Sequence, residues 1–182
     1  MLTLSNFENF ILKKSIQYID EMPKNIYSIY FLIHTNESNN NIPTLSLQYN
    51  TLNTLTNANM CEEKYWNIAF WMTDELPIIG CNFEDTKEAK ETTLMMLNWM
   101  TDIGITNPAL QNKSGVKTIG YEILCNLIEK ISPEIQKHLQ QKFDSNITLL
   151  IGDFSYTNDD IERIIRINGD KAKNFYDFLK KY

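Results

Sequence analysis

The spacing of apolar and polar residues changes period several times along the chain, and each change predicts an element. Phe7, Phe10, Ile11, Leu12, Ser15, Ile16 and Ile19 recur at helical intervals. Ser5 with Glu8 has the spacing of a capping box, so the helix begins there, and Pro23 stops it near Met22. Ile26 to His34 is dense in β-branched and aromatic residues and predicts a buried strand. After the polar stretch Glu37 to Asn41, Leu45, Leu47 and Tyr49 alternate with Ser46, Gln48 and Asn50, which predicts a half-buried strand paired with the first.

Trp66 to Met72 is the most aromatic stretch and predicts a third strand. Trp66, Ile68 and Phe70 would share one face, and Asn67, Ala69 and Trp71 the other. Large groups on both sides suit a central strand covered on both faces; the other reading is an exposed aromatic platform. Pro77 cannot donate to a ladder, so Ile78, Ile79 and Cys81 suggest a short edge strand. Asp85 or Thr86 opens a long helix whose apolar face would hold Leu94, Met95, Leu97 and Trp99, closed by Gly104.

A loop with Pro108 follows, then a helix from Lys117 to Ile131. Ser132-Pro133 has the form of an N-cap and first-turn proline, which predicts a separate short helix to Phe143. Ile147 to Ile151 predicts a strand; Asn158 and Asp170 open two last helices, ending near Ile167 and Lys180. The order predicts an α+β fold: a mostly antiparallel sheet of about four to six strands with helices packed on it, and a helical C-terminal half. With neither repeat nor linker, residues 1–182 are expected to form a single globular domain.

An apolar share of 43% is enough for a real core. Charge narrows the functional classes. Lys and Arg number 17 against 23 Asp and Glu, and only Arg163 and Arg166 are arginines. Nucleic-acid binders cluster cations and favour Arg for base readout, so no nucleic-acid partner is expected. No segment approaches the roughly 20 apolar residues of a membrane span, so no membrane partner is expected either. The opening Met1 to Glu8 lacks the basic and apolar regions of a signal peptide. Cys61, Cys81 and Cys125 are widely spaced and odd in number, which suits free thiols in a reducing cytoplasm.

The chain has no glycine-rich phosphate loop, no H-E-x-x-H, no C-x-x-C and no G-x-S-x-G, so no cofactor or metal is implied. His34, His138 and the cysteines have no local spacing for a zinc site or a Cys–His nucleophile pair. Residues 61–110 carry nine carboxylates against three lysines. Glu84, Glu88 and Glu91 would share a helical face, with Asp85 beside them and Asp74 and Glu75 just upstream. These carboxylates either complement the helix dipole in water or form a docking surface for a basic partner. Carboxylate metal binding is the weaker third option, because nothing fixes the oxygens into a cage.

The segment Glu63-Lys-Tyr-Trp-Asn-Ile-Ala-Phe-Trp71, continuing through Asp74-Glu75-Leu76 to Ile79-Gly80, resembles the central motif of the bacterial domain of unknown function 4303 family. The opening helix, the strand Ile26 to Ile33, and the tail from Ile147 to Phe154 into Asn158-Asp159 are similar in pattern. The polar loop at 36–42 departs from it. The resemblance brings no catalytic residues. It implies an immunity-like protein of a polymorphic toxin system, which binds and neutralises a cognate protein toxin. The alternatives are a small hydrolase-like enzyme with a cryptic site assembled from Cys, His and carboxylates, and a non-catalytic regulatory domain.

Overall fold

A computed structural model describes residues 3–35, 41–52, 66–67, 71, 74–80, 86–112, 117–143 and 146–181. It is an α+β fold. Helix α1 (Asn6–Glu21) leads into strands β1 (Ile26–His34), β2 (Thr44–Thr51) and β3 (Leu76–Ile79). Helices α2 (Lys87–Asp102) and α3 (Ile119–Lys142) follow, then β4 (Thr148–Gly152), α4 (Asn158–Asn168), a 3-10 turn (Gly169–Ala172) and α5 (Lys173–Leu179).

The start of α1 is set as its sequence predicts. Ser5 Oγ accepts from the Glu8 N–H at 3.2 Å, and the Ser5 N–H donates to Glu8 Oε2 at 2.7 Å. The same carboxylate accepts from Lys130 Nζ at 2.8 Å, so one residue both caps α1 and ties it to α3. Phe7, Ile11, Ser15 and Ile19 form the buried stripe. Ser15 sits in that stripe because its Oγ donates back to the Ile11 carbonyl at 2.8 Å.

Among the described residues the sheet has four strands in the order β3-β2-β1-β4. β1 with β2 and β2 with β3 are antiparallel; β1 with β4 is parallel. The sheet is therefore mixed, which corrects the expectation of a mostly antiparallel one. A hairpin can only reverse direction, but β4 returns to β1 after the long excursion through α2 and α3, and such a crossover admits parallel pairing. β3 lies at one edge of this sheet and β4 at the other, and the edge position of β3 accommodates Pro77.

The strand expected over Trp66 to Met72 is absent at its three described positions. Trp66, Asn67 and Trp71 lie in no strand, and Ile68 and Phe70 fall outside the described residues. Both tryptophans are buried, but they cover the sheet instead of joining it. Trp71 meets Tyr30 edge-on at 6.0 Å, and Trp66 meets Tyr27 at 6.0 Å and Phe175 at 5.6 Å. Aromatic density marks burial, and a strand is only one way to be buried.

α3 is one continuous helix, where two were expected. Pro133 lies inside it. Proline removes the N–H that would bond the carbonyl four residues back, that of Glu129. Ser132 Oγ donates to that carbonyl at 2.8 Å and takes over the missing bond. The Ser-Pro pair that resembles a helix start is here the device that carries a helix through proline.

Candidate functional site

Thr86 caps α2, its Oγ1 accepting from the Ala89 N–H at 3.1 Å. The helix buries Ala89, Thr92, Met96 and Met100, a stripe at intervals of three and four that turns toward β3 and α1. Thr92 belongs to it because its Oγ1 accepts from the Gly80 N–H at 3.0 Å and donates to the helix backbone. Gly80 itself takes φ +64°, and a Cβ there would stand 3.0 Å from Thr44 Cγ2.

That stripe is rotated from the expected one. Leu97 and Trp99 pack against the core, but Leu94 is 59% exposed and Met95 41% exposed. This is a correction to the expected apolar face, and its cause is the polar Thr92 and small Ala89. They enter the core where an apolar count ignores them, and the helix turns to admit them.

The outer side of α2 then combines apolar and acidic groups. Glu91 lies one helical turn before both Leu94 and Met95. Glu88 reaches Lys14 of α1 at 3.3 Å, with its side chain still 73% exposed. Glu91 meets Lys87 at 3.7 Å in its own helix, and both are exposed. Asp74 is exposed, whereas Glu75 is half-buried and accepts from Ser46 Oγ at 3.0 Å, which makes it a tie to β2. Glu84 and Asp85 lie outside the described residues. Of the six carboxylates singled out in the sequence, Glu88, Glu91 and Asp74 present charge to solvent. The apolar pair beside them was missed. Its signal was available: Ala89 and Thr92 share the period of Met96 and Met100.

Two other clusters bear on chemistry. At the carboxyl ends of the parallel strands, Asp153 Oδ1 lies 3.1 Å from His34 Nδ1 and Asp153 Oδ2 3.3 Å from Lys117 Nζ. Tyr30 donates its hydroxyl to the Asp153 carbonyl at 2.6 Å, and Lys117 stands over the Tyr121 ring at 4.8 Å. Between α3 and α4, Tyr121 donates to the buried Asp160 Oδ1 at 2.7 Å. Arg163 joins Glu122, Asn126 and Glu129 there, and Arg166 also binds Glu129. The Arg166 hydrogen bond, opposed by burial and reinforced by both arginine charges, holds the Glu129 carboxyl below its ordinary range.

Among the described residues neither cluster assembles a thiol nucleophile. Cys125 is buried and free, and burial, against the pull of Arg163, pushes its thiol far above the usual value. Cys61 and Cys81 lie outside the described residues. Each histidine meets a carboxylate: His34 that of Asp153, and His138 that of Asp20 at 2.8 Å. Among the described residues no three His, Cys, Asp or Glu side chains group so as to hold a metal ion. No helix among them is long and apolar enough to cross a membrane.

The chain matches no protein-family model, and no curated protein or solved structure is similar enough to it to count as a match.

Proposed function

We propose that this protein is a cytoplasmic immunity-type protein that binds and neutralises a cognate bacterial toxin, and that the outer face of α2 is its docking surface. The observation that carries the reading is the exposure of Leu94 and Met95 side by side, one helical turn beyond Glu91 and about two beyond Glu88. Adjacent exposed apolar side chains beside acidic groups have the composition of a protein interface: a centre that loses water, flanked by charges that steer a basic partner. Occlusion of a toxin requires a complementary surface and no reaction. The resemblance of the segment Glu63 to Trp71, continuing through Asp74-Glu75-Leu76 to Ile79-Gly80, to the domain of unknown function 4303 family supports the same reading.

A small hydrolase is the second reading, and the observation in its favour is His34 held by Asp153, a pairing that orients an imidazole. The buried Cys125 with its raised thiol does not supply the nucleophile such an enzyme requires.

Co-expression with the toxin-like product of the neighbouring gene tests the proposal. Restored growth of a poisoned host is the expected result. Growth arrest that persists at full expression of the folded protein would refute it.

A further inference from the structure

β1 carries one extra residue against β2: Ile26 faces Thr51 and Ser28 faces Asn50, which leaves Tyr27 in a bulge. A bulge re-aims a side chain. The Tyr27 hydroxyl accepts from Asn50 Nδ2 at 2.7 Å, and its ring stands edge-on to Trp66 at 6.0 Å. Beside this aromatic pair opens a cleft of about 390 Å³, lined also by Thr148 at the start of β4 and by Asp170, Lys171 and Lys173 from the 3-10 turn and α5. That volume falls in the range of small-molecule sites, roughly 300–1,000 Å³.

The charge of the cleft runs against that of the chain. The protein as a whole carries −6, yet among the described residues two lysines and one aspartate line this cleft. Lys14, Lys117 and Lys130 each meet a carboxylate. Lys171 instead donates to the neutral amide oxygen of Gln136 at 3.0 Å, and among the described residues it meets no carboxylate.

We propose that this cleft binds a small organic anion with a planar aromatic body. Lys171 and Lys173 take the negative group, and Tyr27 and Trp66 form the wall against which the ring lies. The cleft shares no residue with the α2 face, so the two sites are tested separately, and failure here leaves the partner-binding reading untouched.

The test is an NMR titration of the isotope-labelled full chain with phenyl phosphate. The account expects saturable shifts at the amides of Thr148, Lys171 and Asn174, with a dissociation constant below about 1 mM. Inorganic phosphate lacks the ring and benzyl alcohol lacks the charge, and each should bind roughly tenfold or more weakly. Lys171→Gln with Lys173→Gln should weaken phenyl phosphate by a similar factor and leave the remaining spectrum in place. No saturation by about 10 mM would overturn the proposal. So would equal affinity of the double variant, or inorganic phosphate binding as well as the aryl ester.

Discussion

Lys14 of α1 donates to Glu88 of α2 at 3.3 Å and so supplies a positive charge to the helix face proposed as the docking surface. The ammonium also lies 5.0 Å from the centre of the Tyr18 ring. Burial works against its charge, but Glu88 and Tyr18 prevail and hold the Lys14 pKa above its usual value. The lysine therefore remains cationic and offsets part of the acidic potential that would draw in a basic partner.

Two opposite substitutions follow from this pair. Lys14→Gln should raise the association rate with a basic partner, because Glu88 is then uncompensated. Glu88→Lys with Glu91→Lys should lower it, by roughly tenfold at low salt, and flatten its salt dependence. Fold stability should change by no more than about 1 kcal/mol in either case, since exposed pairs contribute little. Stopped-flow association at low and high ionic strength checks both signs. Equal rates for all three proteins would assign the carboxylates to solvent alone.

The hydrogen bond from Ser132 to the Glu129 carbonyl predicts a coupling that neither residue shows by itself. In the parent, Ser132→Ala leaves that carbonyl without its donor and should cost about 1 kcal/mol. With Pro133→Ala in place, the restored N–H serves the carbonyl, and Ser132→Ala should cost almost nothing. Denaturant unfolding of the four proteins gives the coupling directly. Additive costs would mean that Ser132 does not replace the missing bond.

Glu8 predicts a pH dependence. Burial disfavours its charge, but the Lys130 ion pair and the Ser5 N–H more than offset this and hold the carboxyl below the ordinary 4.5. A folded-state pKa below the unfolded one gives stability that is complete above pH 4.5 and is lost as pH falls through the folded value. Glu8→Gln keeps a capping side chain and removes the ion pair, so it should lower the melting temperature at pH 7 and reduce the loss between pH 5 and about pH 3. Thermal melts across that interval decide. An acid limb as steep as the parent's would place the responsible carboxylate elsewhere, with Glu129 next in line.

The elements with local signals were legible in the sequence. Ser5 and Glu8, the β-branched run from Ile26 to His34, Pro77 at a sheet edge and Asn158 at the start of α4 each carry their own reason to start or stop an element. The corrections arose where a local signal had two physical outcomes. Ser-Pro serves a helix start or a proline bridge, and the choice depends on which carbonyl the serine reaches. Trp66 and Trp71 are buried as their type predicts, but tertiary packing decides whether they join a sheet or cover it. The direction of β4 against β1 depends on a crossover that no local pattern encodes. For the candidate site, Glu88 and Glu91 could be read as an exposed acidic pair. Leu94 and Met95 could not, because their exposure follows from Ala89 and Thr92 occupying the buried side of the helix.

The most direct measurement is the affinity of the purified cognate partner for the parent protein and for Leu94→Lys with Met95→Lys, by titration calorimetry. Both side chains face solvent, so the substitutions leave the core intact and the melting temperature near the parent's. The account places them at the centre of the interface, where desolvated anchors each contribute about 2 kcal/mol or more and lysines would repel a basic partner. It predicts a loss of affinity of at least roughly a hundredfold. Binding as tight as the parent's, by a folded double variant, would contradict the assignment of α2 as the docking face.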